Sequence, residues 1–299
     1  MAEKIVDDNF LNRLERAALY VRKDMQGFFG GNHQTRFYGS TVEFADFREY
    51  MLGDDIRRID WNLYSRFERY FLRLFVDERQ MHIQTFLDCS ASMRAVDSGK
   101  ALYAMRAAAA IGYLSVLNMD RTSIRLVKGS VAEDLCGTIT GKTSFFRGIS
   151  KFDNLQFKGT SDLEKSIINC PSIGSNNGLT VIISDLLTDS NWKKAIDYLR
   201  FHRRQVLLIQ VLSPADVDPF CSGRIRLVDC EADNPLDDRN FKMKITRAHL
   251  NAYREALNDF TSDIKRFCAS RGVDFVSVVS DEPVEKLIFE RLNKVGAIK

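Results

Sequence analysis

The chain is 299 residues long, 45% hydrophobic and 28% charged, enough to bury one large core or two modest ones. Its 43 basic and 40 acidic residues leave a net charge of +3, too balanced for the concentrated positive field that nucleic-acid binding usually needs. Six cysteines with no C-x-x-C pair and no secretory leader, and no run of the roughly 18 apolar residues that span a bilayer, lead us to expect reduced thiols in a cytoplasmic protein without a membrane segment of its own.

Phe10, Leu11, Leu14, Ala17, Ala18, Tyr20 and Val21 recur at mostly three- and four-residue steps and predict an amphipathic helix that ends near the Gly27–Gly31 cluster. Arg36–Arg79 is charged and aromatic, with no clean helical or strand period. From His82 onward short apolar runs alternate with longer amphipathic stretches, the pattern of a largely parallel sheet covered by helices. Strands are expected at 83–87, 123–127, 179–184, 206–212 and 273–279, with a short antiparallel partner at 131–135 and an added strand at 224–230. Helices are expected at 99–117, 144–152, 162–169, 192–202, 247–270 and 284–292. Residues 1–79 then form a helical and irregular extension unable to fold alone, and 80–299 one α/β domain.

In open parallel sheets, ligands gather at the carboxyl ends of the strands, so polar residues there carry the functional question. Asp88-Cys89-Ser90-Ala91-Ser92 follows the first strand, and its alternate Asp, Ser and Ser side chains can converge on one centre. One carboxylate and two hydroxyls are half a coordination shell for a hard cation such as Mg²⁺. Gly159-Thr160-Ser161-Asp162-Leu163 opens a helix and offers a further hydroxyl, while Ser184-Asp185 ends a strand and offers a second carboxylate.

These three segments resemble the metal-ion-dependent adhesion site of von Willebrand factor A domains. Upstream, Glu43–Tyr50, Gly53–Trp61, Arg66 and Glu78-Arg79 are similar to the signature of the bacterial family called domain of unknown function 58, or DUF58. The resemblance implies a Rossmann-like three-layer sandwich with a mostly parallel sheet and one antiparallel edge strand. It also implies a metal site of Asp88, Ser90, Ser92, Asp185 and either Thr160 or Ser161, taking Mg²⁺, Mn²⁺ or Ca²⁺. The family pattern has Gly-Gly-Thr-Asp-Leu where this chain reads Gly159-Thr160-Ser161-Asp162-Leu163, which puts Ser161 in register with the threonine. The implied function is non-catalytic: the cation grips an Asp or Glu of a protein partner, and a MoxR-type AAA+ ATPase is the partner class that family relatives accompany.

Each motif has a plainer reading. Asp88, Ser90 and Ser92 can cap a helix without metal. The charged run Asp54–Asp60 more often locks a loop through ion pairs than forms a docking surface. Cys136–Thr143 nearly matches a phosphate-binding loop but has Cys136 where the first glycine belongs, which argues against nucleotide hydrolysis. His33, His82, His202 and His249 lie in no ligand spacing, Cys89 is expected to pack rather than react, and Arg57-Arg58 and Arg203-Arg204 read as solvated basic pairs. Two alternatives stay beside the metal-dependent module: a metal-assisted hydrolase and a metal-free interaction scaffold.

Overall fold

The computed structural model describes residues 5–6, 8–21, 43–51, 54–76, 81–94, 98–171, 173, 178–188, 190–219, 223–228, 230–231 and 241–292. The Gly27–Gly31 cluster, His33, Gly53, Glu78-Arg79 and Cys221 lie outside the described residues. The chain forms two compact units, residues 1–29 with 81–299, and residues 30–80.

Helix α1 (Asp8–Val21) belongs to the larger unit. Its spacing buries Phe10 and Leu14 in the main core, and Glu15 accepts hydrogen bonds from the Tyr113 hydroxyl and from Lys142. In the smaller unit, β1 (Glu43–Glu49) pairs antiparallel with β2 (Phe71–Val76), and α2 (Trp61–Phe67) lies between them in sequence. This hairpin is absent from the sequence-based expectation. Its strands are joined by a helix rather than a tight turn, and β1 is irregular between Phe44 and Asp46. The acids of the charged run shape its turns, with one ion pair and otherwise backbone caps where ion pairs were expected. Asp54 pairs with Arg48 at 2.8 Å, Asp55 accepts the Arg57 amide at 3.0 Å, and buried Asp60 caps α2 through the Asn62 and Leu63 amides.

The larger unit is built on a six-stranded sheet. Its strands are β3 (His82–Asp88), β4 (Arg121–Lys128), β5 (Val131–Asp134), β6 (Leu179–Ser184), β7 (Gln205–Leu212) and β10 (Asp274–Val279), in the order β5-β4-β3-β6-β7-β10. All neighbours are parallel except β4 and β5, joined through Gly129 at φ +56°, so the single antiparallel strand sits at an edge as expected. Alternating residues feed two cores. Ile83, Leu87, Val181, Ile183, Leu207 and Ile209 face α3 (Ser98–Leu117), α4 (Lys142–Ile149) and α9 (Val284–Lys286). Phe86, Ile182 and Leu208 face α5 (Leu163–Ile168), α6 (Trp192–Phe201) and α8 (Arg247–Ser270). Helices on both faces make the three-layer α/β sandwich. After α7 (Pro214–Val217), β8 (Gly223–Leu227) pairs with β9 (Phe241–Ile245) in a separate two-stranded sheet, so the strand expected at 224–230 is real but does not extend the main sheet.

One basic pair departs from its surface reading. Arg203 is exposed, but Arg204 is only 2% exposed and reaches across the amino ends of β6 and β3. Its guanidinium donates to the Thr180 hydroxyl at 3.0 Å, the His82 carbonyl at 3.0 Å and the Leu179 carbonyl at 2.8 Å. That path requires glycine at 178, because a Cβ there would sit 2.6 Å from the His82 carbonyl oxygen and closer still to Arg204 Nη1. Gly178→Ala should therefore cost about 1–3 kcal/mol of stability, read as a lowered midpoint in urea unfolding. A wild-type midpoint would refute the steric constraint.

Two titratable groups, half-buried His82 and buried Asp120, stand at the amino ends of β3 and β4. Burial pushes Asp120 up to about 6, against the Met81 amide that it accepts at 2.8 Å. Burial, aided by Arg204, Arg125 and Arg121, pushes His82 down to about 4. The raised acid makes stability fall as pH rises from about 4 to 6, whereas the lowered base makes stability fall as pH drops from about 6.5 toward 4. The slopes oppose each other in one window. In thermal unfolding from pH 4 to 6.5, Asp120→Asn should show stability rising with pH and His82→Gln the reverse; identical profiles for both variants would contradict these assignments.

Candidate metal centre

The sheet order creates a crevice. From β3 the chain leaves through α3 to β4 on one side, and the strands that follow β5 are added on the other, beginning with β6. The connections at the carboxyl ends of β3 and β6 thus diverge, the place where open α/β sheets bind ligands. Register fills that crevice with polar groups. Phe86 lies beside Ile182 and Leu87 beside Ile183, so the next pair is Asp88 and Ser184, with Gln210 beside Ser184 on β7. Asp88, Ser184 and Gln210 continue the apolar row of Phe86, Ile182 and Leu208 as its polar end, and all three are buried. The Ser184 hydroxyl donates to Asp88 Oδ2 at 2.6 Å, and Gln210 Nε2 donates to the Asp185 carbonyl at 3.3 Å.

The loop after Asp88 is folded by Asp88 itself, whose Oδ1 accepts the Ser90 amide at 2.9 Å. A single 3₁₀ turn, Ala91–Met93, follows, and Ser90 at its N-cap makes no side-chain capping bond. Its hydroxyl instead stands 2.9 Å from the Ser92 hydroxyl. The helix-capping reading therefore does not describe how Ser90 is used. The Gly159–Asp162 loop is tied alongside: Ala91 donates to the Gly159 carbonyl at 2.8 Å, Gly129 to the Thr160 carbonyl at 2.8 Å, and the Thr188 hydroxyl to the Ser161 carbonyl at 3.0 Å. Thr160 is exposed, whereas Ser161 is 4% exposed and its Oγ has no hydrogen-bond partner. A buried hydroxyl left so costs about 1–3 kcal/mol unless something completes it. Asp162 is occupied as the N-cap of α5.

Asp185 reaches the same edge but is already committed. Its Oδ1 accepts the Leu187 amide at 3.0 Å, and its Oδ2 accepts from Lys100 Nζ at 2.9 Å. The ammonium also reaches Asp216 Oδ2 at 3.0 Å, so one buried cation from the first turn of α3 bridges the ends of β6 and β7. Burial pulls the Lys100 pKa down, but the two carboxylates outweigh it and hold the ammonium above its ordinary range. Asp88, by contrast, is pushed up by burial and by the charge of Asp185, against its hydrogen bonds from Ser184 and Ser90. Cys89 is pushed up to about 12 by burial and then by Asp88, as a packing thiol would be.

Sequence reasoning missed Ser184 as a donor to Asp88, and Lys100 and Asp216 altogether. Two signals were present: a lone lysine in the first turn of an alanine-rich helix, and the Ser213-Pro214-Ala215-Asp216 capping box that opens α7. The near-match to a phosphate loop is differently used, since Asp134 accepts the Cys136 and Gly137 amides at 3.1 and 2.6 Å where an anion would bind.

Among the described residues, no three His, Cys, Asp or Glu side chains group as a metal cage, so protein donors here would be mainly hydroxyls with fewer than three carboxylates. That all-oxygen set fits a hard divalent cation. The orphaned Ser161 hydroxyl and a buried Asp88 held by hydrogen bonds rather than by a described cation fit it too.

An α/β sandwich with a serine- and aspartate-lined crevice at the carboxyl ends of β3 and β6 places the protein in the von Willebrand factor A-like class. The family model described as "Protein of unknown function DUF58" matches residues 46–257, and the chain belongs to that family. Uncharacterized proteins of Mycobacterium tuberculosis and Mycobacterium bovis are 28% identical over 236 residues, 76% of this chain and 73% of theirs. Among solved structures, an aerotolerance-related membrane protein from Bacteroides fragilis aligns at 11% identity and TM-score 0.43, over 73% of this chain and 100% of that one. BatB from Bacteroides thetaiotaomicron aligns at 12% and TM-score 0.41, over 73% and 99%. A von Willebrand factor type A protein from Catenulispora acidiphila aligns at 9% and TM-score 0.36, over 76% and 43%. No described helix is long and apolar enough to cross a membrane.

The Lys100 bridge yields a direct test. Lys100→Met keeps the length of the side chain but leaves Asp185 and Asp216 facing each other without their cation, which should cost about 3–5 kcal/mol in chemical denaturation. A loss under about 1 kcal/mol would show the bridge to be dispensable.

Proposed function

We propose that this protein is a non-catalytic, metal-dependent interaction module. Asp88, Ser90, Ser92 and Ser161 hold a divalent cation, Mg²⁺ foremost, and the cation grips an Asp or Glu of a protein partner. The observation that carries this reading is the buried, partnerless Ser161 hydroxyl in the loop tied beside Asp88, at the switch point of the sheet. When bound, the cation supplies the positive charge that a partner's carboxylate completes. This chain's residues set the rest: Ser184 and the Ser90 amide orient Asp88, while Lys100 neutralises Asp185 so that Asp88 keeps the less compensated charge. A MoxR-type AAA+ ATPase in the cytoplasm is the partner class that the family resemblance implies, in chaperone-like assembly of complexes.

Isothermal titration of EDTA-stripped protein with Mg²⁺ and Mn²⁺ should give saturable binding, weakened more than about 100-fold in Asp88→Ala while circular dichroism stays native. Asp88→Ala removes a buried carboxylate whose ionisation is already disfavoured, so the fold should persist. An unfolded variant would recast Asp88 as structural. Wild-type protein that takes up neither ion would leave a metal-free scaffold.

A further inference from the structure

The segment joining β8 to β9 brings one more carboxylate to the crevice. Glu231 lies between strands that form their own small sheet, nearly 140 residues beyond Ser92 in sequence, yet both the hydroxyl and the backbone amide of Ser92 donate to its side chain. It is half-buried, and Asp88 and Asp185 are near enough that their charges add to burial in pushing its pKa up. No local pattern explains this arrangement. A glutamate in a polar loop is free to turn to solvent, where it would avoid both desolvation and two like charges. Capping the Ser92 amide alone would not require approach to Asp88 and Asp185. Independently, the Ser161 hydroxyl, in the loop whose Gly159 carbonyl accepts from Ala91 beside Ser92, is buried and without a partner.

We infer that Glu231 is itself a ligand of the cation centre, so that in the free protein it fills the coordination position that an acidic residue of a partner would take. The inference rests on the metal-site reading above and deepens it. The module carries its own stand-in for the partner's carboxylate, and docking exchanges one carboxylate for another at the cation. Carboxylate for carboxylate leaves the charge at the centre unchanged, so selectivity falls to the contacts a partner makes around the crevice.

Mn²⁺ alone is the probe, added to the full chain as wild type, Glu231→Gln, Glu231→Asp and Asp88→Ala, with thermal unfolding to confirm folding. Affinity is read by titration, and the number of exchangeable waters on bound Mn²⁺ by water-proton relaxation. Removing the Glu231 charge should weaken binding about tenfold or more and raise relaxivity per bound ion, because water enters the vacated position. The shorter Glu231→Asp should show the same raised relaxivity with a smaller loss of affinity. Unchanged affinity and relaxivity in both Glu231 variants, with binding still lost in Asp88→Ala, would overturn the role of Glu231 and leave the metal site standing. Weakened affinity with unchanged relaxivity would also overturn it, since Glu231 would then act only through its charge. A wild type that binds no Mn²⁺, or an Asp88→Ala that binds as wild type, would bring down the metal-site reading and this inference together.

Discussion

Two adjacent central strands end in buried carboxylates, Asp88 and Asp185, and the crevice is organised by how each charge is compensated. Asp185 receives a full cation, Lys100, which it shares with Asp216. Asp88 receives only hydrogen bonds. In a low-dielectric setting this difference is large, because an ammonium at 2.9 Å offsets a carboxylate charge that a serine hydroxyl merely solvates. One half of the crevice is therefore closed internally, while the other half retains negative charge and oxygen donors that a further cation can use.

The Lys100 bridge also ties the crevice to the elements behind it. Asp216 closes the capping box with Ser213 at the end of β7, and its carbonyl accepts the Tyr253 hydroxyl of α8 at 2.8 Å. The first turn of α3 and the ends of β6 and β7 thus share one buried polar network, to which exposed Tyr253 of α8 adds a hydrogen bond. Such networks are stable when fully paired and costly when one member is removed.

What the sequence revealed follows from which signals are local. Leu179–Ser184 and Arg247–Ser270 were legible to the residue, the first as a run centred on Thr, Val and Ile, the second as a long amphipathic stretch. The D-x-S-x-S loop was legible because its donors are near neighbours on one turn. The β1–β2 hairpin and β9 were not, since neither partner lies within reach of a tight turn, although the alternation of apolar and lysine residues in Phe241–Ile245 is itself a strand pattern. Arg204 read as surface because side-chain type carries burial only as an average. It is retained in the core by three acceptors that come from β3 and β6 and that no sequence neighbour announces.

The same distinction separates the plain and the functional readings of the Asp88 loop. In a capping loop, serine hydroxyls are spent on backbone amides, and the amide nearest to hand is satisfied first. Here Asp88 takes the Ser90 amide and Glu231 the Ser92 amide, which leaves the Ser90 hydroxyl facing that of Ser92 and the Ser161 hydroxyl with no acceptor or donor. Acids take the amides that serines would cap, the Ser90 and Ser92 hydroxyls turn to the carboxylates and to each other, and the Ser161 hydroxyl is left without a partner. Hydroxyls gathered beside carboxylates form an all-oxygen lining, and the register of β3 against β6 sets Asp88 and Ser184 side by side at the carboxyl edge of the sheet, where open α/β sheets take ligands.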